Sequence, residues 1–83
     1  MAQTKDLKKF QQAANRIQNH PKWEEALEEL DTKPAARSEA KANAKGYFKG
    51  KGVPVPDEMD VTFIEGSTII KLCGWGICIT IEW

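Results

Sequence analysis

The chain has one histidine, His20, and two cysteines, Cys73 and Cys78. A structural zinc site takes four ligands, usually in spaced pairs, so this set is too small to build one and no metal is expected. A Cys/His catalytic pair would have to join opposite ends of the chain. Phosphate-cradling loops, nucleophile elbows and dinucleotide fingerprints are missing as well. The residues point to no enzyme and no cofactor. Net charge is also lacking: 12 basic residues meet 12 acidic ones, which gives no overall attraction to nucleic acid or to a membrane. No stretch approaches the roughly 20 apolar residues that cross a bilayer. Met1 to Phe10 is polar and unlike a signal peptide, so the expected location is cytoplasmic, where cysteines are kept reduced.

At 83 residues, with 41% hydrophobic and 29% charged, the chain fits a single small globular domain, 1–83. Its charge is unevenly placed. Residues 1–52 carry eleven Lys/Arg against seven Asp/Glu, while residues 53–83 carry Lys71 against Asp57, Glu58, Asp60, Glu65 and Glu82. A basic helical part packed on an acidic β part is the simplest reading.

Hydrophobic spacing predicts the elements. Leu7, Phe10, Ala14 and Ile17 recur at helical intervals after Thr4 or Asp6, and His20-Pro21 ends that helix. Pro21 opens a second helix that buries Trp23, Leu27 and Leu30. Asp31 or Thr32 caps a third, with Pro34 in its first turn and Ala36, Ala40, Ala44 and Phe48 in one apolar row. Gly46, Gly50 and Gly52 weaken and end it, and Val53-Pro54-Val55-Pro56 is an extended connector.

From Val61 onward the pattern alternates, and three antiparallel strands are expected near 60–64, 67–73 and 77–83. Two-residue turns at Glu65-Gly66 and Trp75-Gly76 would pair Val61 with Ile70, Asp60 with Lys71, Leu72 with Ile79 and Cys73 with Cys78. One face then holds Val61, Phe63, Ile70, Leu72, Ile77, Ile79, Ile81 and Trp83; Ile64 and Ile69 are exceptions on the polar face. The expected fold class is α+β: two to three N-terminal helices packed on a small C-terminal three-stranded antiparallel β-meander.

Three features could carry function. Cys73 and Cys78 would sit as a non-hydrogen-bonded pair with Cα atoms about 4.5 Å apart, close enough for a disulfide; two free thiols or chemically modified ones are the alternatives. Lys33, Arg37, Lys41, Lys45 and Lys49 form a cationic row on the third helix, either a solvated face, a dock for the acidic half, or a contact for an acidic partner. Trp75, between two glycines, is either a contact residue or a cover for the sheet.

Two stretches resemble a known family. His20-Pro21-Lys22-Trp23, through Leu27 and Leu30 to Lys33-Pro34 and Ala35-Ala36-Arg37, is one. Gly52-Val53-Pro54-Val55-Pro56-Asp57 followed by Val61-Thr62-Phe63-Ile64-Glu65 is the other. Across 20–66 the chain is similar to the nitrile-hydratase-like (proteusin-type) leader peptides of bacterial natural-product precursors. The resemblance implies a ribosomally made precursor. Residues 1–52 would be a helical recognition part, 53–66 a connector and first strand, and 67–83 a β-hairpin serving as core peptide. A modifying enzyme and a maturation protease would be the partners. Lys33, Arg37, Lys41, Lys45, Lys49, Val55, Val61, Phe63 and Trp75 would be the contact residues, and Ser67, Thr68, Cys73, Cys78 and Thr80 the residues modified. The precursor would be cytoplasmic and its mature product exported. The clustered-cysteine motif of the parent enzyme is absent, so nitrile hydration is not carried over. In a second version Ser67 to Leu72 is the leader's own second strand. A stand-alone protein-binding module using the basic helix and the Trp75 tip is the alternative, and a homodimer through the last strand is a further option.

Overall fold

The computed structural model describes residues 4–64 and 66–83. Three helices, α1 (Thr4–Gln18), α2 (Pro21–Thr32) and α3 (Pro34–Gly50), precede three strands, β1 (Met59–Ile64), β2 (Ile69–Gly74) and β3 (Ile77–Glu82). The strands form one antiparallel sheet in the order β1-β2-β3, with α3 packed on β1 and α2 on α3. This is the expected α+β architecture.

The helix boundaries follow local chemistry. His20 is extended, and its Nδ1 accepts the Lys22 N–H at 3.1 Å, so the one histidine caps α2 with Pro21 as the first helical residue. The expected cap of α3 is corrected. Asp31 and Thr32 still belong to α2, and the Thr32 hydroxyl donates back to the Glu28 carbonyl at 2.9 Å instead of reaching forward. Lys33, extended, is the junction between the two helices and lends no side-chain cap. The Arg37 Nε instead donates to the Leu30 carbonyl at 2.6 Å, satisfying the open C-terminal end of α2.

A break inside α3 at Asn43 is a second departure. Its backbone is extended, and its Oδ1 accepts the Gly46 N–H at 3.0 Å, so Asn43 caps the second half of the helix from within. Gly46 permits this, because a Cβ there would lie 2.6 Å from the Asn43 amide nitrogen. The alanine row survives the break: Ala36, Ala40 and Ala44 are buried together with Tyr47 and Phe48. At the end of α3, Gly52 (φ +94°) lets its own N–H reach the Lys49 carbonyl and the Val53 N–H reach the Phe48 carbonyl, both at 3.0 Å. Buried Val53 and Phe48 complete this left-handed stop.

The β2–β3 register is as expected, with Leu72 opposite Ile79, Ile70 opposite Ile81 and Cys73 opposite Cys78. The β1–β2 register is shifted by two residues. Val61 faces Leu72, Asp60 faces Cys73 and Ile64 faces Ile69, so the pairing ends at Ile64 and Ile69. The Ser67 N–H and hydroxyl both turn back to the Ile64 carbonyl, at 3.3 and 2.7 Å, which closes a longer turn than the expected tight one. Glu65 lies outside the described residues. An even shift keeps every side chain on its face, so the expected faces hold while the partners change.

Phe10, Ile17, Trp23, Leu30, Tyr47, Phe48, Met59, Ile70 and Leu72 make the centre of the core. Trp23 stacks on Phe48 with ring centroids 4.9 Å apart, and Tyr47 meets Phe48 edge-on. The Tyr47 hydroxyl donates to the Ala26 carbonyl at 2.9 Å, which ties α3 to α2. Burial, assisted by the nearby Glu29 carboxylate, pushes the Tyr47 phenol from 10.0 up to about 12. Leu7, expected on the buried stripe of α1, is exposed instead.

Candidate functional site

The sheet has two unlike faces. On the inner face Val61, Phe63, Ile70 and Leu72 are buried, whereas Ile77, Ile79, Ile81 and Trp83 of the last strand are only half-buried. The helices therefore cover β1 and β2 well and β3 poorly. The outer face shows Thr62, Ile64, Lys71, Cys78, Thr80 and Glu82 to solvent.

Cys73 and Cys78 are joined across this outer face as a disulfide, with Cα atoms 4.1 Å apart. Of the three states open to the pair, the bonded one is observed. The reason is positional: a two-residue turn puts the cysteines at the first non-hydrogen-bonded pair beyond it, where side chains approach most closely. The turn itself is made by Trp75 (φ 51°) and Gly76 (φ 77°), both left-handed, the geometry that matches strand twist in a two-residue hairpin. Trp75 is the only non-glycine residue with positive φ among those described, at a cost of about 1–2 kcal/mol. Its ring is half-buried against the core and shares a crevice with Ala13, Arg16 and Pro56. Of the two readings of Trp75, a cover laid toward α1 is the one the packing favours.

The other sequence-level candidates fall into groups. Thr80 is exposed opposite Lys71. Thr68 is half-buried beside the chain end, its carbonyl accepting the Trp83 N–H at 3.0 Å. The Ser67 hydroxyl is engaged by the Ile64 carbonyl. Val55, Val61 and Phe63 are core side chains with little exposed surface, and Val61 and Phe63 show only an edge in shallow crevices beside α3.

The cationic row is largely occupied by its own chain. Lys33 pairs with Glu29 at 3.1 Å, Arg37 with Asp31 at 3.9 Å and Lys49 with Asp57 at 2.9 Å. Lys45 reaches the Asp57 carbonyl at 2.9 Å and the Asp60 carboxylate at 3.9 Å. Lys41 is engaged too. The hydrogen bond and charge of Lys49, with Lys45 behind it, hold the Asp57 carboxyl below its ordinary value. On α2, hydrogen bonds from Lys51 and Lys33 do the same for Glu29. The Lys45 and Lys49 pairs join helix to connector and strand, so the basic part does meet the acidic part.

Sequence reasoning missed two residues that shape this region, Met59 and Gly74. Met59, fully buried, sits opposite Gly74, where a Cβ would come within 2.9 Å of the Met59 side chain. Gly74 therefore lets β1 close down beside the disulfide. The only available signal was a glycine in a strand, which marks a close approach. Among the described residues no group of three or more His, Cys, Asp and Glu is placed to hold a metal. No helix among them is long and apolar enough to cross a membrane.

No protein-family model, curated protein or solved structure matches the chain.

Proposed function

We propose that the chain is the ribosomally made precursor of a post-translationally modified bacterial peptide. In this reading it is not itself an enzyme. The helices with β1 and β2 as far as Leu72 are the docking module for a modifying enzyme, and residues 73–83, the end of β2 with the turn and β3, are the part acted upon before a maturation protease releases it. The resemblance across residues 20–66 supports the class. One structural observation supports the division of labour: Cys73 at the end of β2 and Cys78 and Thr80 on β3, the strand with the least buried inner side chains, face outward on an uncovered sheet face. A disulfide there suits a product that ends in an oxidising environment.

The boundary in this proposal differs from the one the resemblance implies. A leader ending at residue 66 would strip β1 of β2, whose Ile70 and Leu72 are fully buried. An isolated strand on a helix does not hold its place. The acted-upon segment therefore begins near Cys73, and residues 67–72 belong to the module. The decisive experiment is fragment mass mapping of material from the producing cell. Mass changes confined to residues 73–83 support the proposal; an unaltered segment overturns it.

A second reading, a stand-alone binding module, is favoured by a different observation. β2 is the central strand, so the hairpin belongs to the protein's own fold. Because the Lys/Arg row is engaged internally and Trp75 is folded back, such a module would bind through the outer sheet face around Ile64, Ile69 and Lys71 rather than through α3.

A further inference from the structure

The last strand has an open edge whose backbone phase is fixed. The Trp83 N–H donates to the Thr68 carbonyl, and the β2–β3 register continues from there. In an antiparallel ladder, alternate residues bond to opposite sides. The main-chain groups of Ile77, Ile79, Ile81 and Trp83 thus face β2, and those of Cys78, Thr80 and Glu82 face outward. No proline interrupts this edge and no lysine lies on β3, two common safeguards against edge pairing.

We propose that a second copy of this chain pairs with β3, antiparallel and two-fold symmetric about Thr80. The register carries this inference. With Thr80 opposite Thr80 of the second copy, Cys78 falls opposite Glu82 of the second copy and Glu82 opposite Cys78 of the second copy. Every outward N–H and C=O from Cys78 to Glu82 then finds a partner. On the inner face, Ile79 meets Ile81 of the second copy and Ile77 meets Trp83 of the second copy. The half-buried side chains that the helices cover only in part are the ones this register covers further, in apolar pairs. The charged Glu82 side chains stay at opposite ends of the joint and do not face each other. Sliding the pairing by two residues toward the turn sets Glu82 opposite Gly76, outside the ladder. A strand from an unrelated protein would have to supply the same alternation, whereas β3 supplies it to itself.

The pairing is tested on the full oxidised chain by sedimentation at a series of concentrations, alongside Thr80→Glu. In the single chain this substitution places a carboxylate opposite Lys71, so the fold keeps its circular dichroism. In the pair it sets two carboxylates face to face. The expected result is a mass of two chains for the native protein and of one chain for Thr80→Glu. Amide exchange on the native protein supplies a readout independent of the variant: the Cys78, Thr80 and Glu82 amides are protected in the pair and exchange rapidly on dilution. A native chain that stays single at every concentration overturns the proposal. So does a dimer that Thr80→Glu leaves intact, or one in which those amides remain unprotected.

Discussion

Leu72 and Ile79 face each other across β2 and β3 on the same side of the sheet, and they differ mainly in burial. Leu72 is 0% exposed, while Ile79 is half-buried at the edge. Truncating each to alanine removes three carbons. At a fully enclosed site the lost transfer energy and the residual cavity add, and Leu→Ala costs about 2–5 kcal/mol. The Ile79 site opens to solvent, so water fills the gap and the cavity contribution largely vanishes, leaving about 1–2 kcal/mol. For a domain of this size the whole stability is roughly 4–12 kcal/mol. Leu72→Ala therefore uses up a large part of it, and its melting midpoint falls by on the order of 10–20 °C. Urea unfolding followed by tryptophan fluorescence measures both variants. It is run at dilution, so that pairing through β3 does not cover Ile79. Equal losses for the two variants, or a larger loss for Ile79→Ala, would refute the division of the hairpin into a core strand and a peripheral one.

Three further outcomes follow from the same contacts. Asn43→Ala removes the internal cap of α3 and lowers stability by about 1 kcal/mol, and Gly46→Ala lowers it further by displacing the Asn43 side chain, both read by urea midpoints. The Tyr47 phenol is raised in the fold from 10.0 to about 12, so the folded chain holds this proton longer than the unfolded one. Its stabilising effect is complete below pH 10 and is lost as pH rises toward 12; the Tyr47→Phe variant should show less of this alkaline loss in melts across that range. Reducing the Cys73–Cys78 bond, which closes a very short loop, costs about 2 kcal/mol and leaves the helices folded, as thermal melts with and without reductant will report.

The fold was legible where one residue type decides a local geometry. Pro21 and Pro34 mark helix starts, Gly52 marks a stop, and alternation from Val61 separates the two faces of the sheet. Trp75-Gly76 gave the second hairpin in its correct register because a glycine closes a two-residue turn between two alternating runs. The first hairpin was harder. Glu65-Gly66 looks like a tight turn, but nothing local announces that Ser67 will bond back to Ile64 and lengthen the loop. The cap at Asn43 was hidden in an unbroken helical pattern, since an asparagine three residues before a glycine is a weak signal among alanines. For the candidate site, the positions of Cys73, Cys78 and Thr80 could be read from strand parity. The burial of Val55, Val61 and Phe63 could not be separated from a contact role, because both call for apolar side chains. The pairing of the lysine row with Asp57 and Asp60 depended on where the connector runs, which spacing along α3 does not encode.

The most direct measurement for the precursor proposal is the intact mass of the protein from its native producer, before and after reduction and thiol alkylation. The expected result is a chain shortened at its C-terminus or altered in mass beyond the two hydrogens of the disulfide, as with cysteines that stay blocked after reduction. A full-length, unmodified chain, whether its cysteines are free or simply linked to each other, would contradict the proposal and leave a folded binding module.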